Sequence, residues 1–410
     1  MLDLTQLPDV PDDTDFIDPD FLLQGVPFEF FAALRYRAPV WWNAEPGNRG
    51  FTDGGFWVIS RHADVRALSR DHENWSSAQN GVIMSFPEDV ELASVEQQKA
   101  MIISHDPPEH TRLRKIVSRL FTPKAVAAME QRLVERCRAN VEEAVERGSG
   151  DFIADIAAKL PLEAIADLIG IPLADRDEVF RWANAAINFD DPDPTVDPIT
   201  AGANLLGYAY MMAEDRRKRP ADDIVTRLVH ADMDGDWMTE LEFGYFVIIL
   251  AVAGNDTSRN ATAWGLNGFL EHPDQWELYK RARPTTAADE IVRYASPVHC
   301  MQRTALHDTE LHGVTIAKGQ RVGLFYTSAN YDETVFDNPH RLDITRNPNP
   351  HMGFGQGVHH CLGANLARLE IKTIFDAVAD LAPDISKLSE PVRHRSGLLN
   401  SLKSFHVQYR

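Results

Sequence analysis

The chain has 410 residues, of which 44% are hydrophobic and 25% charged, enough to bury a large core and inconsistent with a disordered protein. A formal net charge of -20 excludes a general nucleic-acid surface and attraction to anionic lipid, both of which need clustered Lys and Arg. Three scattered cysteines, Cys137, Cys300 and Cys361, build neither a disulfide framework nor a C-x-x-C zinc pair.

Residues 1–20, rich in Asp and Pro, read as a flexible acidic arm, and residues 21–410 as one domain, because no low-complexity linker divides them. Asp3, Asp9, Asp12 and Asp13 stand where a secretory leader would carry basic residues. The longest apolar run, Phe246 to Gly254, is about half the ~20 residues a membrane helix needs. A cytoplasmic protein without a membrane span is expected.

Helical character begins at Phe28 to Tyr36. Trp41-Trp42 and Phe56 to Ile59 read as strands of a small N-terminal sheet, with turn signals at Pro46-Gly47 and Asp53-Gly54-Gly55. Val82, Ile83, Met84 and Phe86 form a greasy segment suited to a lipid, or to ordinary core. From His110 to about residue 280 the pattern is mainly α, with helices near 110–120, 123–147, 151–169, 174–187, 200–218, 221–231 and 239–270. Arg112, Arg114, Lys115, Arg119 and Lys124 make a basic run without acids, a candidate docking patch for an acidic protein. The prolines between Asp190 and Pro198 force a loop.

Inside the last of these helices, Ala253-Gly254-Asn255-Asp256-Thr257 places a polar centre in an apolar run, which also reads as a turn between two helices. A Thr257 hydroxyl bonded to the Ala253 carbonyl, beside the helix-weakening Gly254, would widen the helix locally. Glu290 and Arg293 lie three apart on one helix face. Gly313 to Phe325 reads as a β-hairpin turning at Lys318-Gly319, and an irregular Pro/Asn stretch follows from Asp332 to Pro350.

Residues 354–363, Phe-Gly-Gln-Gly-Val-His-His-Cys-Leu-Gly, lead into an amphipathic helix, so Cys361 sits at a helix N-terminus. Unpaired N–H groups there favour the thiolate, the form that binds metal. Gly355, Gly357 and Gly363 remove side chains where the backbone turns tightly or approaches a flat ligand. A lone cysteine is more often a buried small hydrophobe, and zinc held by His359, His360 and Cys361 lacks the usual second ligand pair.

The ten-residue string resembles the cytochrome P-450 pattern Phe-Gly-x-Gly-x-His-x-Cys-x-Gly at every fixed position. That resemblance implies the helix-rich cytochrome P-450 fold with a small N-terminal sheet and short hairpins. It also implies heme b (iron protoporphyrin IX) with Cys361 as its metal ligand, contacts to the cofactor from Ala253, Gly254, Phe354, Gly355 and Gly363, and O2 as co-substrate. It assigns His110, Arg114, Arg303 and His359 to the heme propionates, Asp256 and Thr257 to proton relay, and Glu290, Arg293 and Arg341 to a structural triad. Electrons from NAD(P)H would arrive through a ferredoxin and its reductase.

More narrowly, Trp41-Trp42-Asn43, Gly54-Gly55-Phe56-Trp57, Asn80 to Ile83, Glu271 to Glu277 and Arg395-Ser396-Gly397 are similar to the bacterial steroid 27-monooxygenases. That group oxidises the terminal methyl of the cholesterol or cholest-4-en-3-one side chain, and the analogy places Ile83, Phe86, Val252, Ala253 and Val298 along the substrate channel. The chain departs from that group at Asp256-Thr257-Ser258, at Leu398, and in a cysteine loop of ordinary length. A methyl-branched fatty acid or a terpenoid is the alternative substrate, and a heme-binding sensor or carrier the alternative of another class.

Overall fold

The computed structural model describes residues 7–45, 49–84, 86, 96, 99–191, 196–230 and 238–410. Its spine is a 32-residue helix, Glu240–Glu271, started by a capping box in which Thr239 and Glu242 satisfy each other's backbone N–H groups. Phe246, Leu250, Leu266 and Phe269 on this helix are buried, and the largest apolar cluster surrounds them with Ile165, Ile291, Ile374 and Phe375. Each such side chain contributes about 1.5–3 kcal/mol through the water it leaves. Helices Lys159–Ile169, Pro198–Lys218, Ala287–Ala295 and Ala364–Leu381 pack around the spine.

The helix runs unbroken through Ala253 to Thr257, which excludes the turn. Thr257 Oγ1 donates to the Ala253 carbonyl at 2.8 Å, as its spacing predicts. Gly254 has a packing reason: a Cβ there would lie 2.5 Å from Ile165 Cδ1. The other expected helices form with shifted ends. Residues 123–147 divide into Pro123–Ala127 and Glu130–Arg147, and 151–169 opens with a π-helical turn at Ile153–Ala157.

The main sheet has the strand order Val40–Ala44, Gly55–Ile59, Arg321–Phe325, Cys300–Ala305, Trp75–Ser76. The hairpin expected at Lys318-Gly319 is not formed. Val314–Ile316 pairs backward with Thr309–Leu311 around His312 and Gly313, both at positive φ, as a two-residue hairpin turn needs. Arg321–Phe325 instead joins Cys300–Ala305 and Gly55–Ile59, strands distant in sequence.

The acidic N-terminal stretch is likewise no loose arm in its described part. Phe16 and Ile17 are fully buried against Phe31, Phe56 and Phe325, and the Phe16 N–H donates to Asn43 at 2.8 Å. Two apolar anchors among the acids dock the segment. The Pro46-Gly47 turn lies outside the described residues.

Candidate active site

The cysteine loop is folded by its glycines. Gly355 and Gly357 have φ of 65° and 72°, and a Cβ on Gly357 would lie 2.5 Å from the Ser69 carbonyl oxygen. The Cys361 N–H donates to the Phe354 carbonyl at 2.8 Å, closing the loop just before helix Ala364–Leu381. Arg368, one turn into that helix, stacks on Phe354 at 4.6 Å and bonds Asp289 at 2.8 Å, fastening the loop to helix Ala287–Ala295.

Cys361 is exposed, yet the protein packed around it pushes its thiol above the ordinary range. The N–H groups of Gly363 and Ala364 and the charges of Arg114 and Arg368 act in the other direction, favouring the anion. Burial outweighs them, so the helix terminus alone does not yield the thiolate. A bound metal would supply the missing stabilisation.

Above the loop lies a cluster of cationic and imidazole side chains. The His110 and His359 rings are 4.2 Å apart, and Arg114 donates to the His360 carbonyl at 2.6 Å. Burial, with like charges from Arg114, His105 and Arg303, lowers His110 to about 4, and burial, with Arg303, His110 and Arg114, lowers His359 to about 2. Arg303 is almost wholly buried and bonds the neighbouring Gln302 carbonyl, while Nε2 of His359 and of His105 are buried without a partner among the described residues. Mutually repelling donors and orphaned ring nitrogens fit a ligand carrying carboxylates. Gly363 has nothing within 4 Å of where its Cβ would be, and Ala253 is exposed in the middle of the buried spine. Surface for a flat group therefore exists on both elements, and the residues present fit heme.

Asp256 is fully buried; burial raises its carboxyl while Arg259, at 2.9 Å, and His394 pull it down.

Arg341 does not stand where the resemblance assigns it. Its side chain is exposed and paired with Asp274, and it contributes only its backbone carbonyl, 3.3 Å from Arg293. Arg346 takes the third position: Glu290 accepts from Arg293 at 2.8 Å through both oxygens, from Arg346 at 3.0 Å, from Asn349 at 3.1 Å and from the Asp343 N–H at 3.0 Å. The irregular chain brings the later arginine inward, a register that its sequence does not encode.

Of the residues assigned to the channel, Ile83, Val252 and Val298 are half-buried, and Phe86 is buried with its ring 5.9 Å from Phe51 in a corner organised by Arg321. Arg321 is fully buried, paired with Glu45 and Asp53, and donates to the Met84 carbonyl at 3.1 Å, which ties the greasy segment to the sheet. Val298 bridges to Leu399, so the C-terminal loop adjoins this wall. In the basic run, Arg112 pairs with Glu109 and Glu242, and Arg114 points inward to the cysteine loop.

A cysteine presented at a helix start beside a buried group of arginines and imidazoles, with a long central helix packed on that same helix, is the arrangement of a heme-thiolate type of protein. The sequence profile of the cytochrome P450 family matches residues 285–378. The chain is 53% identical over 405 residues to the steroid C26-monooxygenase of Rhodococcus jostii, covering 98% of this chain and 86% of that one. It is 40% identical over 391 residues to a methyl-branched lipid omega-hydroxylase of Mycobacterium tuberculosis, covering 92% and 90%. A Mycobacterium marinum cytochrome P450 in complex with pseudoionone superposes with a TM-score of 0.89 at 36% identity, covering 98% and 99%. The chain belongs to the cytochrome P450 family, and it is a heme- and O2-dependent monooxygenase with that family's fold. Among the described residues no helix is long and apolar enough to cross a membrane.

Proposed function

We propose that this P450 hydroxylates the terminal methyl of a sterol side chain, that of cholesterol or cholest-4-en-3-one. The observation that carries the reading is the 53% identity, nearly end to end, to a steroid C26-monooxygenase, against 40% to a branched-lipid hydroxylase. Both activities address a methyl at the end of a branched chain, so a methyl-branched lipid is the second reading.

When bound, the heme supplies the oxidising power to attack an unactivated C–H bond. Cys361 would hold it from the cysteine loop, His110, Arg114, Arg303 and His359 would take its carboxylates, and Phe354, Gly355, Gly363, Ala253 and Gly254 would contact it. Asp256 carries protons inward from its buried position, and the Thr257 hydroxyl, turned back on Ala253, passes them on. Ile83, Phe86, Val252, Ala253 and Val298 guide an apolar chain end-on, which selects a primary C–H over weaker tertiary bonds. Electrons come from NAD(P)H through a ferredoxin and its reductase, in the cytoplasm.

Titrating the ferric protein with cholest-4-en-3-one, cholesterol and a methyl-branched fatty acid, followed by mass spectrometry of the turnover products, tests this. The sterols are expected to displace water from the iron and to yield the terminal alcohol. A spin-state response to the fatty acid alone would transfer the assignment to the second reading.

A further inference from the structure

The acid–alcohol reading leaves open how a proton reaches a carboxyl that has almost no contact with solvent. Asp256 is 1% exposed, and its Oδ1 is held by Arg259 at 2.9 Å, one turn along the same helix. Nε of Arg259 and Oδ1 of Asn255 are both buried with no partner among the described residues. Asn255 Nδ2 reaches Asn184 Oδ1 at 3.3 Å on helix Arg176–Ile187 and stands 3.5 Å from Asp256. Buried orphans beside a carboxylate are the setting in which ordered water is held.

The C-terminal segment closes this corner. The Leu402 N–H donates to Asn260 Oδ1 at 3.2 Å, docking strand Leu402–Ser404 on the spine at the residue after Arg259. The His394 N–H bonds the Ser401 carbonyl at 3.0 Å, which holds its backbone against the residue before that strand. Nε2 of His394 is 3.7 Å from Asp191 Oδ2, and Nδ1 is 3.2 Å from the Arg395 carbonyl. Asp191 is partly exposed at the start of the loop after Arg176–Ile187 and also bonds Lys403 at 2.9 Å.

We propose that His394 is the intake for the protons that Asp256 passes inward, with Arg259 holding the buried carboxylate between deliveries. The inference rests on the acid–alcohol reading of Asp256 and Thr257. His394 takes a proton from water at the Asp191 side and becomes imidazolium. It gives that proton to water beside Arg259 and Asn255, and Asp256 is protonated as its bond to Arg259 opens. Asp256 then releases the proton toward Thr257 and returns to Arg259 as the carboxylate; each group ends as it began. The charged groups facing His394 are Asp191, which favours the imidazolium, and Arg259 and Lys403, which oppose it. Burial is the largest influence, and with the opposing cations it lowers the ring below the ordinary imidazole range, so a proton that it takes up is readily given on.

The experiment uses the holoenzyme with its electron donors and the variants His394→Gln, Asp191→Asn and Asp256→Asn, together with NMR titration of the His394 ring in the ferric, substrate-free protein. His394→Gln keeps the bulk and a bond to the Arg395 carbonyl but cannot carry charge. It should keep the carbon monoxide spectrum and thermal midpoint of the parent. Product per electron pair should fall roughly 10-fold, peroxide should rise to match, and the solvent isotope effect on product formation should increase; Asp191→Asn should do the same more weakly. In the NMR arm, Arg259→Gln should raise the His394 pKa and Asp191→Asn should lower it. If Asp256→Asn loses coupling while His394→Gln and Asp191→Asn keep parental coupling and isotope effect, the intake is elsewhere and the acid–alcohol pair stands. If Asp256→Asn itself couples normally, the underlying reading fails. A His394 titration indifferent to Arg259 overturns the linkage even where a variant does not fold.

Discussion

Removing Arg293 tests the clamp that organises the chain before the cysteine loop. Its guanidinium is completely buried, donates twice to Glu290 at 2.8 Å, and satisfies the carbonyls of Asn330 and Pro339 at 2.8 and 2.9 Å. In Arg293→Met the two carbonyls each lose a bond worth about 1 kcal/mol, and the fork on a buried carboxylate costs about 2–3 kcal/mol more, so the loss is about 4–5 kcal/mol. Arg346 and Asn349 still hold Glu290, which keeps the effect from growing further. Arg346→Met, which removes one bond to Glu290, one to the Asp337 carbonyl and a long one to the Arg341 carbonyl, should cost about 2 kcal/mol. Arg341→Met should be indistinguishable from the parent. Urea unfolding followed at the Soret band should show the Arg293 variant lower by roughly 1–1.5 M, taking a slope of about 3 kcal/mol per M or more. A larger effect at Arg341 than at Arg346 would refute the assignment of the third arm.

Cys361→Ser should remove the red-shifted Soret band of the reduced carbon monoxide complex and abolish turnover, and a variant that keeps the band would remove Cys361 as the ligand. Thr257→Ala should divert electrons to peroxide, with product formation down by a factor on the order of 10²; oxygen consumption measured against product checks it. Glu370 lies fully buried facing Ser258, and burial lifts its carboxyl from 4.5 to about 8. The folded state therefore binds a proton that the unfolded chain releases, and stability contributed by this group falls as pH rises from about 4.5 to 8. Glu370→Gln should flatten that decline, by at most about 5 kcal/mol at the alkaline end, and equal pH slopes for variant and parent would count against a buried acid.

What was legible in the sequence was local. The cysteine string, the central helix with Thr257 bonded to Ala253, and the helix order follow from spacing and capping, which neighbours in sequence determine. What was not legible depends on partners far along the chain. Arg321–Phe325 looks like half of a hairpin because its true neighbours, Gly55–Ile59 and Cys300–Ala305, are brought in by the fold. Arg341 and Arg346 are equally arginine, and only the path of an irregular segment decides which turns inward. The acidic N-terminus hid Phe16 and Ile17, whose burial needs a sheet and a helix that come later. His394 gave no signal, since its place beside Arg259 depends on how the C-terminal strands dock.

Asp289 and Glu290 are consecutive on helix Ala287–Ala295, and they hold different things. Asp289, drawn down to about 2 by His351 and Arg368, grips the chain on either side of the cysteine, while its neighbour grips the irregular stretch before it. One short helix is thus a common bearing for both halves of the cradle. A rotation of its axis by a few degrees would displace cysteine and approach segment together, so the two cannot drift out of alignment separately.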